Sequence, residues 1–289
     1  MNLKKFEHKN ILITGASSGI GEAIAYQLSR IPTNLFLTGR DMERLSAVKD
    51  KCVSINCSAF DKNNANDDAG NSEIDRSIPD NSVKTFNVDF SSTESIDSFV
   101  SDMTDKNIKF DYLILNAGIS QRSLTLETDF SVDRKIMETN YFGPVYFTKK
   151  LTGMLLSGKK THIAITSSIS GLFGFPLRSA YCASKHALFG FFETLELENN
   201  NINVTFLIPG RINTPISKSA IVGDGSAYSK MDGGQANGMD VDKCARIALR
   251  AIAKEKHRKL ICGKELIIVY LKKFIPPLFY KLAKKISAI

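Results

Sequence analysis

Tyr181 and Lys185 stand one helical turn apart in the stretch YCASKHALFGFF. Residues i and i+4 share a helix face, so the phenol and the ammonium lie side by side. A fixed positive charge favours the phenolate and draws a tyrosine pKa down from its ordinary value near ~10. Such a pair can give up a proton near neutral pH. The same spacing also arises when a tyrosine packs in the core and a lysine snorkels to solvent, so the rest of the chain has to decide.

A second chemistry lies in ILITGASSGIGEAIA: an apolar strand, then Gly15, Gly19 and Gly21, then a helix. Glycines let the backbone turn tightly and approach a pyrophosphate, and the helix N-terminus offers free N–H groups at the positive end of its dipole. The spacing is G-x-x-x-G-x-G, with Thr14 ahead of it, rather than the commoner G-x-G-x-x-G. The following strand ends in FLTGRDMERL. Where a binder of NAD carries an acidic acceptor for the ribose 2′-OH, this chain has Gly39 followed by Arg40. An uncharged position beside a bidentate cation suits a 2′-phosphate, so NADP is expected over NAD.

These groups need a scaffold, and apolar runs alternating with helical patterns supply one. Strands are predicted near 9–14, 34–38, 83–88, 110–115, 161–166, 202–208 and 258–262, with helices near 19–30, 41–50, 92–106, 131–157, 179–199 and 240–254. The series implies an α/β fold with a doubly wound parallel sheet and ligands at the carboxyl ends of its strands. One domain over residues 1–263 is expected, followed by an extension over 264–289. The segment 56–82, rich in Asn, Asp and Ser, has little apolar periodicity and is predicted to be a disordered surface insertion.

Bulk properties narrow the function. A chain of 289 residues with 43% hydrophobic content can bury one large core. Its five cysteines are odd in number and scattered, and MNLKKFEHKN leads straight into an apolar strand. Both features point to free thiols in a reducing, cytoplasmic setting. Neither cysteines nor histidines fall at metal-ligand spacing, so no metal is expected. No run reaches the ~18 apolar residues that span a bilayer. The net charge of +8 is concentrated from Leu249 onward, where eleven Lys or Arg face two Glu. No nucleic-acid motif accompanies it.

With these motifs in hand, the chain resembles the short-chain dehydrogenase/reductase family over about residues 8–262, in particular the dehydrogenase/reductase member 7 branch and its bacterial relatives. TGASSGIG (Thr14, Gly15, Ser17, Ser18, Gly19, Ile20 and Gly21 among it) looks like that family's cofactor turn, and NAG (Asn116, Ala117, Gly118) like its fourth-strand motif. Asn140 in METNYFGP, Ser168 in ITSSISG, and Tyr181 with Lys185 in YCASK match its catalytic tetrad in order and spacing. Pro209, Gly210 and Thr214 resemble the segment that holds the nicotinamide, and Asp89 the position that contacts the adenine.

The resemblance implies an NADP-dependent oxidoreductase that interconverts a carbonyl and an alcohol. In that mechanism Tyr181 is the general acid, and Lys185 lowers its pKa and bonds the nicotinamide ribose. Ser168 donates to the substrate oxygen, and Asn140 anchors a water relay behind the lysine. Residues 212–238 resemble a substrate lid, and a homo-oligomer such as a homodimer is expected. A silent NADP-binding scaffold would lack one of Ser168, Tyr181 and Lys185. An NAD-preferring alcohol dehydrogenase would differ at Gly39–Arg40, and a sugar-nucleotide epimerase would need a G-x-x-G-x-x-G turn.

Leu172, Phe173, Phe175 and Leu177, between Ser168 and Tyr181, are candidates for lining a pocket for a lipophilic carbonyl or alcohol; core or dimer packing is the alternative. In the tail, Pro276–Pro277 breaks any single helix. Beyond it Leu278, Phe279, Leu282, Ile286 and Ile289 can share a face opposite Lys281, Lys284 and Lys285. That pattern suits either an amphipathic helix in an anionic membrane interface or a helix packed on protein.

Overall fold

The computed structural model describes residues 3–64, 82–156 and 160–284. Seven strands, β1 (Asn10–Thr14), β2 (Asn34–Gly39), β3 (Val83–Asn87), β4 (Tyr112–Leu115), β5 (Thr161–Thr166), β6 (Ile202–Pro209) and β7 (Arg258–Ile261), form one sheet. Every pairing is parallel, in the order β3-β2-β1-β4-β5-β6-β7. The order reverses between β1 and β4, and this is where the carboxyl ends of a doubly wound sheet open a crevice.

Strand periodicity divides the core between two faces. Ile11, Ile13, Leu35 and Leu37 pack beneath α1 (Gly19–Leu28), α2 (Met42–Asn64) and α9 (Val241–Ala253). Their alternates Leu12, Phe36, Leu113, Ile163 and Phe206 face α3 (Thr93–Asp105), α5 (Gly143–Lys150) and α7 (Ser179–Glu198). Successive side chains of a strand point to opposite faces, so runs that read as uniformly apolar are needed where both faces are covered. Phe147 and Phe192 are fully buried on the second face, each worth about 1.5–3 kcal/mol by transfer from water.

Two helices depart from the sequence expectation. The helix expected over 131–157 is α4 (Phe130–Met137), a π-helical turn (Glu138–Phe142), α5 and the short α6 (Thr152–Leu155). The helix expected over 41–50 extends to Asn64, so the first part of the segment 56–82 is helical. Cys52 and Asn56 continue its buried stripe. Beyond Asn64 the insertion lies outside the described residues, as far as residue 81.

The segment 212–238 follows the carboxyl end of β6 and contains α8 (Gly233–Ala236). Isolated bridges tie it down, Gln121 to Ile221 and Ile212 to Met239.

The extension after β7 forms α10 (Leu266–Phe274) and α11 (Pro276–Ala283), separated at Ile275. Phe279 turns inward and meets the Phe173 ring with centroids 5.1 Å apart. It therefore belongs to the core rather than to a solvent-facing apolar stripe with Leu278 and Leu282. Ile286 and Ile289 lie outside the described residues. Among the described residues no helix is long and apolar enough to cross a membrane.

Candidate active site

The turn after β1 is built so that two backbones can touch. Gly15 and Gly19 have φ of +62° and +61°, a left-handed conformation that costs other residues about 1–2 kcal/mol. A Cβ on Gly15 would stand 2.8 Å from Ala117 Cα. The close approach is held by Thr14 Oγ1, which accepts from the N–H groups of Asn116 (2.9 Å) and Ala117 (3.0 Å). Asn116 Nδ2 returns a bond to Gly15 O at 3.2 Å. Ser17, Ser18, Gly19 and Ile20 line one end of a cavity of 570 Å³, with Arg40 and Asp89 on the same wall. The Ser18 hydroxyl does not cap α1. Thr14 and Gly21 brace this wall from behind. A Cβ on Gly21 would meet Asn116 Nδ2 at 2.7 Å.

Asn116, Ala117 and Gly118 carry the cavity inward to Ser168, Tyr181, Lys185, Pro209, Gly210 and Thr214. Asn140 does not line it. Buried within the π-helical turn, Asn140 accepts through Oδ1 from Ile119 N (2.8 Å) and donates through Nδ2 to Ile119 O (2.9 Å) and Ser184 Oγ (3.1 Å). A π turn carries an extra residue in the helix and so re-aims a side chain, a common device at functional sites.

Tyr181 and Lys185 are both buried, with Lys185 Nζ 5.9 Å from the centre of the tyrosine ring. Nζ donates to Thr166 O at 2.8 Å. Burial pushes the lysine down to about 8. It raises Tyr181, and the opposing influences are the Arg178 charge, the Ser168 hydroxyl and the Arg122 charge. Two arginines thus join Lys185 as cations around the phenol, whereas the sequence points to Lys185 alone.

No motif flags these arginines. Arg122 donates to Asp232 Oδ2 through Nε (3.0 Å) and Nη2, and through Nη1 to Ser120 Oγ (2.8 Å). Arg178 Nη2 reaches the same Asp232 oxygen at 3.3 Å. Gln121, fully buried, caps α7 in place of Arg178, whose side chain makes no cap bond. Its Oε1 accepts from Ala180 N at 3.0 Å and its Nε2 donates to Ser179 Oγ at 3.3 Å, which holds the turn bearing Tyr181. The available signal is NAGISQRS, where a Gln and an Arg follow directly on an apolar turn.

A second cavity, of 850 Å³, adjoins the first and shares Ser168, Arg178, Gly210 and Gln235 with it. Ile169, Phe175, Met239 and Ile268 supply its apolar wall. Of the aromatic residues expected there, Phe175 is present, whereas Phe173 is spent on packing against Phe279.

A family profile described as short chain dehydrogenase matches residues 54–223. Dehydrogenase/reductase SDR family member 7B of Xenopus laevis is 36% identical over 275 residues, which is 94% of this chain and 80% of that protein. A dehydrogenase/reductase SDR family protein 7-like of Drosophila melanogaster is 34% identical, covering 96% of this chain and 80% of its own length. Among solved structures, a short chain dehydrogenase/reductase from Burkholderia phymatum in complex with NAD superposes with a TM-score of 0.74 at 21% identity, over 94% of this chain and 95% of that one. An alcohol dehydrogenase from Thermococcus sibiricus complexed with 5-hydroxy-NADP gives 0.68 at 22% identity, over 88% and 96%.

Proposed function

Because this chain belongs to the short-chain dehydrogenase/reductase family, and is an oxidoreductase with a nicotinamide cofactor, we propose that it uses NADP to interconvert a lipophilic ketone and its alcohol. The observation that carries this reading is one cavity holding the glycine cradle at one end and Ser168, Tyr181 and Lys185 at the other. A dinucleotide fits the residues present: positive-φ glycines open the backbone at one end, and Pro209, Gly210 and Thr214 close the other. When bound, the nicotinamide supplies or accepts the hydride.

The chain's own groups handle the proton and the orientation. Tyr181, kept neutral by burial, donates its phenolic proton to the carbonyl oxygen, and Ser168 donates a hydrogen bond to the same oxygen. The Lys185 ammonium would hold the ribose side of a bound cofactor and stabilises negative charge left on the phenol. Asn140 keeps Ile119 and Ser184 in place behind the lysine. The apolar wall around Phe175 and Ile268 supports an alkyl or ring substituent on the carbonyl. Purified protein screened with NADPH and NADH against aliphatic, cyclic and acyl-chain ketones tests the proposal. Reduction of none of them overturns it.

Preference for NADP rests on Arg40, which lines the cavity beyond the carboxylate-free end of β2. The neighbouring Asp41 accepts from Arg44 N at 3.0 Å and pairs with the Arg44 guanidinium at 3.2 Å. Arg40→Ala is expected to weaken NADPH binding about ten- to a hundredfold, the loss of one charged hydrogen bond at ~1.5–3 kcal/mol, and to leave NADH nearly untouched. Equal losses for both cofactors in a fluorescence titration remove the 2′-phosphate assignment.

The tail supports peripheral contact with an anionic membrane. Ile267, Tyr270, Phe274, Ile275 and Leu278 are exposed beside Lys272 and Lys273, the composition of an interfacial helix. Since Phe279 is part of the core, deletion of the tail would damage the fold. Phe274→Ser with Ile275→Ser is the cleaner variant. It is expected to lose binding to phosphatidylserine vesicles at low salt and to keep its Tm. Wild-type protein that ignores such vesicles overturns this reading.

A further inference from the structure

We propose that the ketone carries an anionic group, a carboxylate or a phosphate, and that Arg122 and Arg178 seat it beside Tyr181. The proposal rests on the carbonyl-reducing reading above.

Placement comes first. Arg178 lines both cavities and Arg122 the first, whereas Asp232 lines neither and is 3% exposed. The carboxylate therefore holds the two guanidiniums from behind and turns their charge toward the space a substrate occupies. Arg178 precedes Tyr181 by three residues, and both arginines act electrostatically on its phenol. They are distant from the cofactor's 2′-phosphate end. Arg178 follows β5 and Arg40 follows β2, three strand spacings away in the sheet, or roughly 14 Å.

Charge comes second. Two cations share one oxygen of one carboxylate, so the trio carries a net charge of +1 in a buried site. Burial and the Arg122 charge together push Arg178 down to about 10. A network serving only to pin the segment 212–238 would need Asp232 and Arg122 alone, which already form a two-point contact. The second guanidinium lines both cavities, where a ligand can meet it. Perturbed ionisable groups beside a reactive centre are candidates for such a role. A guanidinium also matches carboxylate and phosphate oxygens in its planar fork.

Shape comes third. Arg178 stands where the polar active-site cavity meets the apolar one, so a single molecule can place its carbonyl at Ser168 and Tyr181, its anion at the arginines and its apolar substituent against Phe175 and Ile268. A long-chain keto acid or keto phosphate has all three parts.

The test uses two matched pairs, a γ-keto fatty acid with its methyl ester and a γ-keto alkylphosphonate with its diethyl ester. Wild-type protein is expected to favour the anionic member of at least one pair about tenfold or more in kcat/KM, and the pair concerned says which head group is taken. Arg178→Gln should shrink that ratio about tenfold, mainly through KM, with Arg178→Lys restoring part of it. Calorimetry in the presence of oxidised cofactor, where no turnover occurs, should show the same loss in Kd for the anionic ketone. Equal kcat/KM within both pairs for the wild type overturns the anion site and leaves carbonyl reduction standing. Reduction of no ketone at all removes the underlying reading as well. Because the wild-type ratio alone decides for or against the anion site, the test survives a variant that fails to fold.

Discussion

Tyr181→Phe is expected to lower kcat by about 10²–10⁴-fold, the range contributed by a positioned general acid, with NADPH affinity unchanged. The substitution removes one oxygen and leaves the buried ring in place, so packing against its surroundings survives. Burial raises the phenol above its ordinary pKa, and Arg178, Ser168 and Arg122 only partly offset that. The group therefore stands protonated at neutral pH, as a proton donor must. The variant's Tm should match or exceed that of the wild type, because a buried hydroxyl gives way to an apolar edge. Stopped-flow reduction of a ketone, run beside a cofactor titration, separates the two effects. Wild-type turnover in Tyr181→Phe would mean that the proton comes from elsewhere.

The sheet and the glycine cradle were legible because both are local. Seven strands read as apolar runs since both faces of a parallel sheet are covered, and all seven lie within two residues of the predicted spans. The residues that match the family's tetrad come from the resemblance; the fold brings Ser168, Tyr181 and Lys185 to one cavity and sets Asn140 behind it, against Ile119 and Ser184. Three features were not legible. The π turn at Glu138–Phe142 adds a residue to the helical period without changing composition, so it reads as continuous helix. The extension of α2 to Asn64 runs through SINCSAFDKNN, whose sequence has little apolar periodicity to mark a helix. The Arg122–Asp232–Arg178 cluster joins three segments up to 110 residues apart, and no short-range pattern encodes such a contact.

Phe279 shows a subtler loss. Periodicity identifies an apolar helical face in the tail but not the surface it covers, and the same stripe suits a membrane or a core. The ring of Phe173 decides for that one residue. Its commitment also removes Phe173 from the substrate pocket for which its place in the sequence nominates it.

Lys185 should reveal a conflict between stability and activity. Its ammonium is buried, with a pKa near 8 in the folded protein against an ordinary 10.5. The unfolded chain thus binds the additional proton between those values, so this group's contribution to stability rises with pH there. Below about 8 the wild type carries the full penalty, at most about 3 kcal/mol by the size of the shift. Methionine at 185 would remove that penalty but strand Thr166 O, which now accepts from Nζ at 2.8 Å, at a cost of ~1–3 kcal/mol. The two nearly cancel, so Lys185→Met is expected to fold with a Tm close to that of the wild type at pH 7. As pH rises from 8 towards 10.5, the wild type should gain stability relative to the variant. Activity moves the other way. Losing the ammonium should cut kcat and weaken NADPH binding together, since one charge serves both the phenol and the ribose side. For the same reason wild-type kcat/KM should fall above about pH 8 as Nζ deprotonates in the free enzyme. Thermal melts and initial rates across pH 6 to 10.5 measure both at once. A variant that keeps cofactor affinity while losing turnover would restrict the lysine to the proton step.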